Sequence, residues 1–522
     1  MNASLLYGTT TLAELLVAAT QRHAQKIAFL DERGDITYQE LAARVSQAVT
    51  LFEQCGIKRG DAVAQLAGNR VETFVIMMAC YTLGAHSVAL HPLGGDDDQV
   101  FVLNDSQAQM VIVDGQHVAR VSALREKCPG VTHWFSHDGG HRFDDFWKQA
   151  RALPVSELRP QGHAEDIIRL AYTGGTTGRP KGVMLSNRSL VTYVMLALAG
   201  ISWPDDVRLL CTTPITHAAG SLILPTLVRG GSVLLQQGFD AGNFAEALEK
   251  QRCNVTFLVP TLIYALLDDP RSRHANWNEM HALIYGAAPM APQRIREALQ
   301  VFGPCLVQVY GQTESPNLVL TLTQRDHLLA SDQRLASAGR PFTGLRVALR
   351  DDEGRDVAGT GEIGEICVQG PLLMSGYWQQ PEATAQAFSD SWLHTGDMGY
   401  RDEQGYYYLV DRKKDLIISG GFNVYPTEVE NTLCTHPEVA AAAVVGVPDE
   451  KWGEAVKAFV VLRPGATVDA STLTAMVRKA RGAVHAPKSI EFTDVLPLTN
   501  LGKVDKKQLR APYWADSKRA IH

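Results

Sequence analysis

The sequence predicts an α/β protein: a large N-terminal domain of packed, mostly parallel sheets with helices, a small β-rich subdomain, and a small mobile α/β C-terminal domain. Three observations predict it: alternating hydrophobic periods over the first 340 residues, a change to glycine-punctuated short strands after Leu345, and a dense polar run at Asp411–Lys414. Apolar residues recur at helical spacing in Leu12–Ala24, Tyr38–Cys55 and Val71–Leu83, with short strand-like runs at Asp61–Ala67, His86–Leu90 and Met110–Asp114. The alternation returns later, with strands at Leu209–Thr213, Ser232–Gln236 and Thr256–Val259 and helices at Ala241–Gln251 and Pro260–Leu267. Such alternation implies parallel sheets with helices on their faces. Residues 345–411 read as hairpins. Within them, Gly359 to Gly364 spell a formal GxGxxG, but a strand-like ICVQG follows where a dinucleotide site needs a helix, so this is turn chemistry. After the polar run, Glu428–Thr435, Ala440–Val447, Val456–Leu462 and Ala470–Arg481 suggest a separate α/β unit. The expected division is 1–411 and 412–522.

The stretch Tyr172–Val183, YTGGTTGRPKGV, carries the most chemical information. Gly174, Gly175 and Gly178 let backbone N–H groups approach a polyanion; Thr173, Thr176 and Thr177 add hydroxyls and Lys181 a mobile cation. GxxxxGK[ST] fits it in no register, so it is a phosphate loop of a non-Walker kind. Strand-like Ile167–Ala171 before it and helix-like Ser189–Ala199 after it argue against a flexible linker.

The chain has 522 residues, 45% apolar and 20% charged, with a net charge of −7 and no basic domain, which argues against nucleic acid as a partner. Its length favours two or more domains. The eight cysteines form no CxxC pair and no metal-ligand cluster along the sequence. No apolar run is long enough to cross a bilayer and the N-terminus does not read as a secretory signal, so a reduced, cytoplasmic setting is expected.

The phosphate loop resembles that of the acyl-adenylate-forming enzymes, the family of acyl- and aryl-CoA synthetases, peptide-synthetase adenylation domains and beetle luciferases. Further motifs follow in the family's order: GAAP at Gly286–Pro289, YGQTE at Tyr310–Glu314, HTGD at His394–Asp397, DRKKDLIISGGFNVYPTEVE at Asp411–Glu430 and LTNLGKVDKKQLR at Leu498–Arg510. The resemblance implies ATP, Mg²⁺ and coenzyme A as cosubstrates and cofactor, and a small carboxylic acid as substrate. It implies that Glu314 holds Mg²⁺, that Thr313 contacts phosphate, and that Gly286, Ala287 and Ala288 flank adenine and the acyl pocket. Tyr310, Gly311 and Gln312 would complete the nucleotide site. Asp397 would accept the ribose hydroxyls, with Arg412 as ribose and phosphate partner. Lys503 would be the adenylating lysine, whose ammonium bridges the substrate carboxylate and the α-phosphate. The neighbouring Lys506, Lys507 and Arg510 read as a solvated basic face.

His217 in TPITHAAG resembles the family's gate at the mouth of the acyl tunnel, where Ala218, Gly220, Ser221, Gly286 and Gln312 would also stand. Gly420 and Gly421 have the form seen in CoA synthetases, where they line a pantetheine tunnel, and Trp452 matches an aromatic position near CoA's adenine. Lys414 occupies the hinge position. Val484 and His485 depart from the family's aromatic–lysine pair, which puts CoA nucleotide contacts there in doubt. Gly174 stands where serine is commoner, removing a hydroxyl but not the N–H.

The segments expected around the acyl group, His217–Leu222, Leu258–Thr261, Gly286–Ala288 and Tyr310–Asn317, contain no Lys or Arg. A second substrate carboxylate would be unpaired there, so the expected substrate is an apolar monocarboxylic acid: fatty, aromatic or alicyclic. The implied reaction is acid plus ATP to acyl-AMP and pyrophosphate, then CoA to acyl-CoA and AMP. Three other readings stand beside it: an acyl-AMP ligase loading a carrier protein, a luciferase-like oxygenase, and a non-catalytic nucleotide-binding protein.

Overall fold

A computed structural model describes residues 10–31, 34–92, 94–139, 143–173, 180–351, 353–412, 415–449, 451–498 and 504–514. Gly174, Gly175, Thr176, Thr177, Gly178, Lys414 and Lys503 lie outside the described residues.

Two large sheets build the N-terminal part. In one, strands Leu306–Gln312, Ala282–Tyr285, Val255–Leu258, Arg208–Cys211, Ser232–Leu235 and Ile27–Leu30 run parallel in that spatial order, with antiparallel strands at both edges. In the other, Ile167–Thr173, His86–Ala89, Ala62–Leu66, Ala108–Val113 and His133–Ser136 are parallel neighbours. The helix Val71–Leu83 is buried at every residue, as expected for a helix apolar all round and enclosed by other elements. The first two helices are fixed locally: Thr11 with Glu14 and Thr37 with Glu40 each form a capping box, satisfying N–H groups that the first turn leaves unpaired.

A smaller antiparallel sheet pairs Arg346–Arg350, Gly364–Gln369, Trp392–Arg401 and Phe388–Ser389, with Tyr407–Arg412 on Trp392–Arg401. The strand Gly364–Gln369 directly follows Gly359–Gly364, so that glycine pattern is a turn into a strand. A fourth sheet, Phe422–Val424, Ile417–Ser419, Gly453–Leu462 and Val439–Asp449, packs against helices Pro426–Leu433 and Ala470–Arg481 around its own apolar core. Among the described residues, no helix is long and apolar enough to cross a membrane.

The helix expected at Ser189–Ala199 is present, and a strand precedes it: Lys181–Ser186 pairs antiparallel with Ile167–Thr173, Thr173 facing Lys181. Helix Asn187–Gly200 starts only afterwards, capped by Ser186. The two strands are neighbours in the sheet, so the segment between them leaves and re-enters at one end of an antiparallel pair.

Candidate active site

The hairpin of strands Leu306–Gln312 and Ser315–Leu322 carries two polar clusters. Its first strand is the last parallel member of its sheet, so its carboxyl end lies where ligands of such sheets bind. Tyr310 donates its hydroxyl to Asp397 Oδ2 at 2.6 Å, while Arg412 Nε stands 3.1 Å from Asp397 Oδ1. Asp397 and Arg412 face each other across paired strands, which fixes the ion pair by register. Gln312 Nε2 donates to the Thr395 carbonyl at 3.1 Å, tying the hairpin to the same strand. Burial, then the Asp397 charge, raises the Tyr310 hydroxyl well above its ordinary value, so it stays a donor. Asp397 in turn strengthens the Arg412 cation, with smaller contributions from Tyr310 and Glu314. A carboxylate has about four acceptor sites, so Asp397 keeps capacity for a diol.

Thr313 and Glu314 form the turn of the hairpin. Glu314 Oε1 accepts the Tyr377 hydroxyl at 2.9 Å, and Lys181 Nζ lies 4.9 Å from the centre of the Tyr377 ring. The Glu314 carbonyl also accepts the Met374 N–H at 2.9 Å. Tyr377 thus joins the lysine at the end of the phosphate loop to the acidic residue of YGQTE. It sits far from both in sequence, in no motif, and sequence reasoning missed it. One Glu314 oxygen engaged by Tyr377 leaves the second able to face a cation. That suits Mg²⁺, which takes one or two carboxylates and fills its octahedron with phosphate oxygens and water.

At the end of the neighbouring strand the backbone is strained. Ala287 has φ +69°, a left-handed conformation that costs a non-glycine residue of order 1–3 kcal/mol. A Cβ on Gly286 would come within 2.4 Å of the Val309 carbonyl oxygen, so only glycine fits beside the hairpin strand. Ala288 follows in the same turn. On the far side, Ala218–Leu222 is a 3-10 turn; a Cβ on Gly220 would meet the Ile215 carbonyl at 1.7 Å. Burial pushes the Tyr193 hydroxyl up, with Ser221 opposing it.

His217 is held between groups that sequence reasoning also missed. His91 packs edge-on against it at 5.5 Å, and Arg169 donates to the Thr216 carbonyl next to it. Burial, then the Arg169 and His91 charges, pushes the imidazole down to about 4. The Arg169 guanidinium therefore brings a cation close to segments that themselves contain none; it lies in the strand before the phosphate loop, where nothing local signals its direction.

His137 and His327 are likewise pushed down by burial to about 4. Between pH 6.5 and 4 the unfolded chain binds protons at these three sites that the folded chain refuses. Stability must fall as pH drops through that window, by about 1.4 kcal/mol per pH unit for each histidine at full difference. Urea unfolding at pH 7 and pH 5 tests this: His327→Gln should make the loss smaller by one proton's share, and an unchanged loss contradicts it.

In the C-terminal sheet, Gly420 and Gly421 form the hairpin turn with φ +60° and +82°. A Cβ on Gly420 would strike the Trp452 ring at 2.5 Å, and Gly420 N–H bonds the Trp452 carbonyl at 2.8 Å. The Trp452 ring carries Lys451 and Lys488 at 5.0 and 5.4 Å. The two glycines and Trp452 therefore form one surface bordered by cations.

The basic run near the C-terminus is not a uniformly solvated face. Lys506 Nζ pairs with Glu430 at 2.8 Å and Arg510 pairs with Asp415, both largely buried, while Lys507 is exposed. The partners lie 76 and 95 residues upstream, so local charge pattern could not show them. Leu498 bridges Val504, and Asp505 N–H bonds the Pro497 carbonyl at 2.8 Å. Both flanks of residues 499–503 are thereby anchored. Lys506→Met should leave Glu430 buried and unpaired, destabilising by about 3 kcal/mol. Urea unfolding measures this, and unchanged stability contradicts the pairing.

A sequence model of the family described as AMP-binding enzyme matches residues 16–378, and one described as its C-terminal domain matches 428–503. A medium/long-chain-fatty-acid–CoA ligase, FadD8 of Mycobacterium tuberculosis, is 41% identical over 540 residues, covering 100% of this chain and 93% of that protein. A feruloyl-CoA synthase of an Amycolatopsis species is 38% identical over 477 residues, covering 91% of this chain and 93% of its own. Among solved structures, the amide bond synthetase McbA of Marinactinospora thermotolerans superposes with a TM-score of 0.89 at 33% identity, over 96% of this chain and 99% of that one.

Proposed function

This chain belongs to the AMP-binding enzyme family, and we propose that the acid it activates is an apolar monocarboxylic acid. It is an ATP-dependent acid–CoA ligase of the AMP-forming kind, using ATP, Mg²⁺ and CoA. A carboxylate oxygen of the acid bonds to the α-phosphorus as the bond to pyrophosphate breaks, giving acyl-AMP. The sulfur of CoA then bonds to the acyl carbon, its proton passes to solvent, and AMP leaves.

The observation that carries our assignment of residues is the hairpin turn that brings Tyr310–Asp397–Arg412 and Lys181–Tyr377–Glu314 to one place. In this reading Asp397 accepts the ribose hydroxyls while Tyr310 and Arg412 hold it oriented. Glu314 holds Mg²⁺, which neutralises phosphate charge when bound, and Thr313 contacts phosphate beside it. Thr173, Gly174, Gly175, Thr176, Thr177, Gly178 and Lys181 grip the leaving pyrophosphate. Gly286, Ala287, Ala288, Gly311 and Gln312 present backbone and amide to adenine and the acyl group. Lys503 supplies the cation between two reacting anions, and catalysis is charge neutralisation with positioning.

His217 stays neutral at pH 7 and stands at the mouth of the acyl pocket, next to Ala218, Gly220 and Ser221. A neutral imidazole adds no counter-ion for a second substrate carboxylate. This supports an apolar body, as do relatives named as a fatty-acid–CoA ligase and a feruloyl-CoA synthase. In our reading the domain 412–522 turns about Lys414 between half-reactions, bringing Gly420, Gly421 and Trp452 to CoA, and the enzyme works in the cytoplasm.

The test is to incubate the enzyme and ATP with fatty, aromatic, alicyclic and dicarboxylic acids, and to weigh the products with CoA, an amine or an acyl carrier protein as acceptor. Acyl-CoA from apolar monocarboxylates is expected. A dicarboxylate as best substrate would contradict the pocket argument, and an amide or carrier-bound product made in preference to acyl-CoA would contradict the acceptor.

A further inference from the structure

We propose that Glu365, Cys367 and His394 form a binding site for one divalent transition metal of the zinc class, separate from the Mg²⁺ of the nucleotide site. The sequence scatters these residues, so no metal-ligand spacing is visible along it. The small antiparallel sheet assembles them. Cys367 on strand Gly364–Gln369 faces His394 on strand Trp392–Arg401, and the register then slips so that Glu365 faces Met398. The pleat puts Glu365 and Cys367 on one face of their strand. The slip is absorbed around Gly396, whose φ is +72°, as a bulge absorbs extra residues.

Side-chain geometry suits a tetrahedral ion. His394 Nδ1 lies 3.5 Å from Cys367 Sγ and 3.1 Å from Glu365 Oε2, and the three ligand atoms all lie within 4.8 Å of one another. Metal–sulfur bonds of about 2.3 Å and metal–nitrogen or –oxygen bonds of about 2.0–2.1 Å, at tetrahedral angles, need separations of about 3.6 and 3.3 Å. His394 Nδ1 therefore stands within a few tenths of an ångström of both required separations, and the thiol and carboxylate ligand atoms lie within 4.8 Å of each other. A thiolate and a carboxylate cancel a 2+ charge, which removes most of the penalty for burying it. Glu365 Oε1 also accepts the Gly396 N–H at 2.9 Å, orienting the carboxylate as outer-shell partners do at metal sites. Ala348 on the outer strand is the residue opposite Cys367 and adds only a methyl group. Cys367 and Glu365 are buried, and His394, 21% exposed, supplies access.

Ligand softness decides which ions enter. Thiolate and imidazole select zinc-class ions over Mg²⁺, which takes oxygen ligands. Binding releases the thiol proton and leaves the imidazole hydrogen on Nε2. Three protein ligands leave a fourth position for water. The site is connected to the nucleotide carboxylate, because Asp397 N–H bonds Thr395 Oγ1 at 3.1 Å within the same bulge. This consequence alone rests on our reading of Asp397: a bound ion should change ATP affinity.

The test is to titrate the full chain, free of nucleotide, with Co²⁺. One equivalent should produce a thiolate-to-cobalt charge-transfer band with the visible bands of a four-coordinate ion, and Zn²⁺ but not Mg²⁺ should abolish them. C367S should remove the charge-transfer band, and His394→Gln should weaken Co²⁺ binding at least about tenfold. No charge-transfer band at one equivalent, a band that survives in C367S, or unchanged affinity in the His394→Gln variant would overturn the site. Because His394 is partly exposed, that variant decides the matter even if C367S fails to fold. ATP affinity that is the same with and without Zn²⁺ would overturn only the connection to Asp397.

Discussion

Lys503→Ala should abolish acyl-AMP formation while leaving thioester formation from supplied acyl-AMP. In the first half-reaction a carboxylate approaches a polyphosphate, and a cation between them is worth most in the transition state. Removing one such electrostatic group typically costs about 10²–10³ in rate. No equivalent charge problem exists when a thiol attacks acyl-AMP, whose leaving group is already activated. The residues on either side, Leu498 and Val504, bridge each other and Lys506 pairs with Glu430, so alanine at 503 should remove the charge without disturbing those contacts. Lys414→Pro makes the complementary case. Proline fixes φ near −65° and removes an N–H, so it should restrict rotation, sparing adenylation and impairing thioester formation. Single-turnover assays of each half-reaction measure both, and equal loss of the two half-reactions in each variant would contradict domain alternation.

Asp397→Asn should raise KM for ATP by about 10- to 100-fold with little change in KM for the acid. Asp397 is 8% exposed and accepts from Tyr310 and Arg412 on different oxygens. The amide keeps the shape but turns one acceptor into a donor facing a group that itself donates, and it leaves Arg412 without its counter-ion. Hydrogen bonds to charged groups are worth about 1.5–3 kcal/mol, which sets the fold-change if ribose binding loses one of them. ATP–pyrophosphate exchange at varied ATP measures it. A KM for ATP within twofold of the parent would contradict the ribose role.

Much of the fold was legible because local pattern decides it. Helices Val71–Leu83 and Ala470–Arg481 begin and end where the apolar pattern places them, and most strand limits differ by a residue or two. Lys181–Ser186 was not, because GVML beside a glycine-rich loop has no alternation of its own and becomes a strand only by pairing with Ile167–Thr173. The same limit applies at the site. Motifs named Asp397 and Arg412, but Tyr377, Arg169 and His91 become neighbours of motif residues only through tertiary packing. Lys506 looked solvated because Glu430 is distant in sequence. The Cys367–His394 pairing depends on a strand register no spacing reveals.

The most direct measurement is acid-dependent ATP–pyrophosphate exchange without CoA, followed by addition of CoA to the isolated enzyme–intermediate complex. Exchange that requires an apolar monocarboxylate, and an intermediate that CoA converts to acyl-CoA and AMP within one turnover, is the predicted result. Exchange absent without CoA, or an intermediate that CoA fails to discharge, would contradict a two-step ligase acting through acyl-AMP.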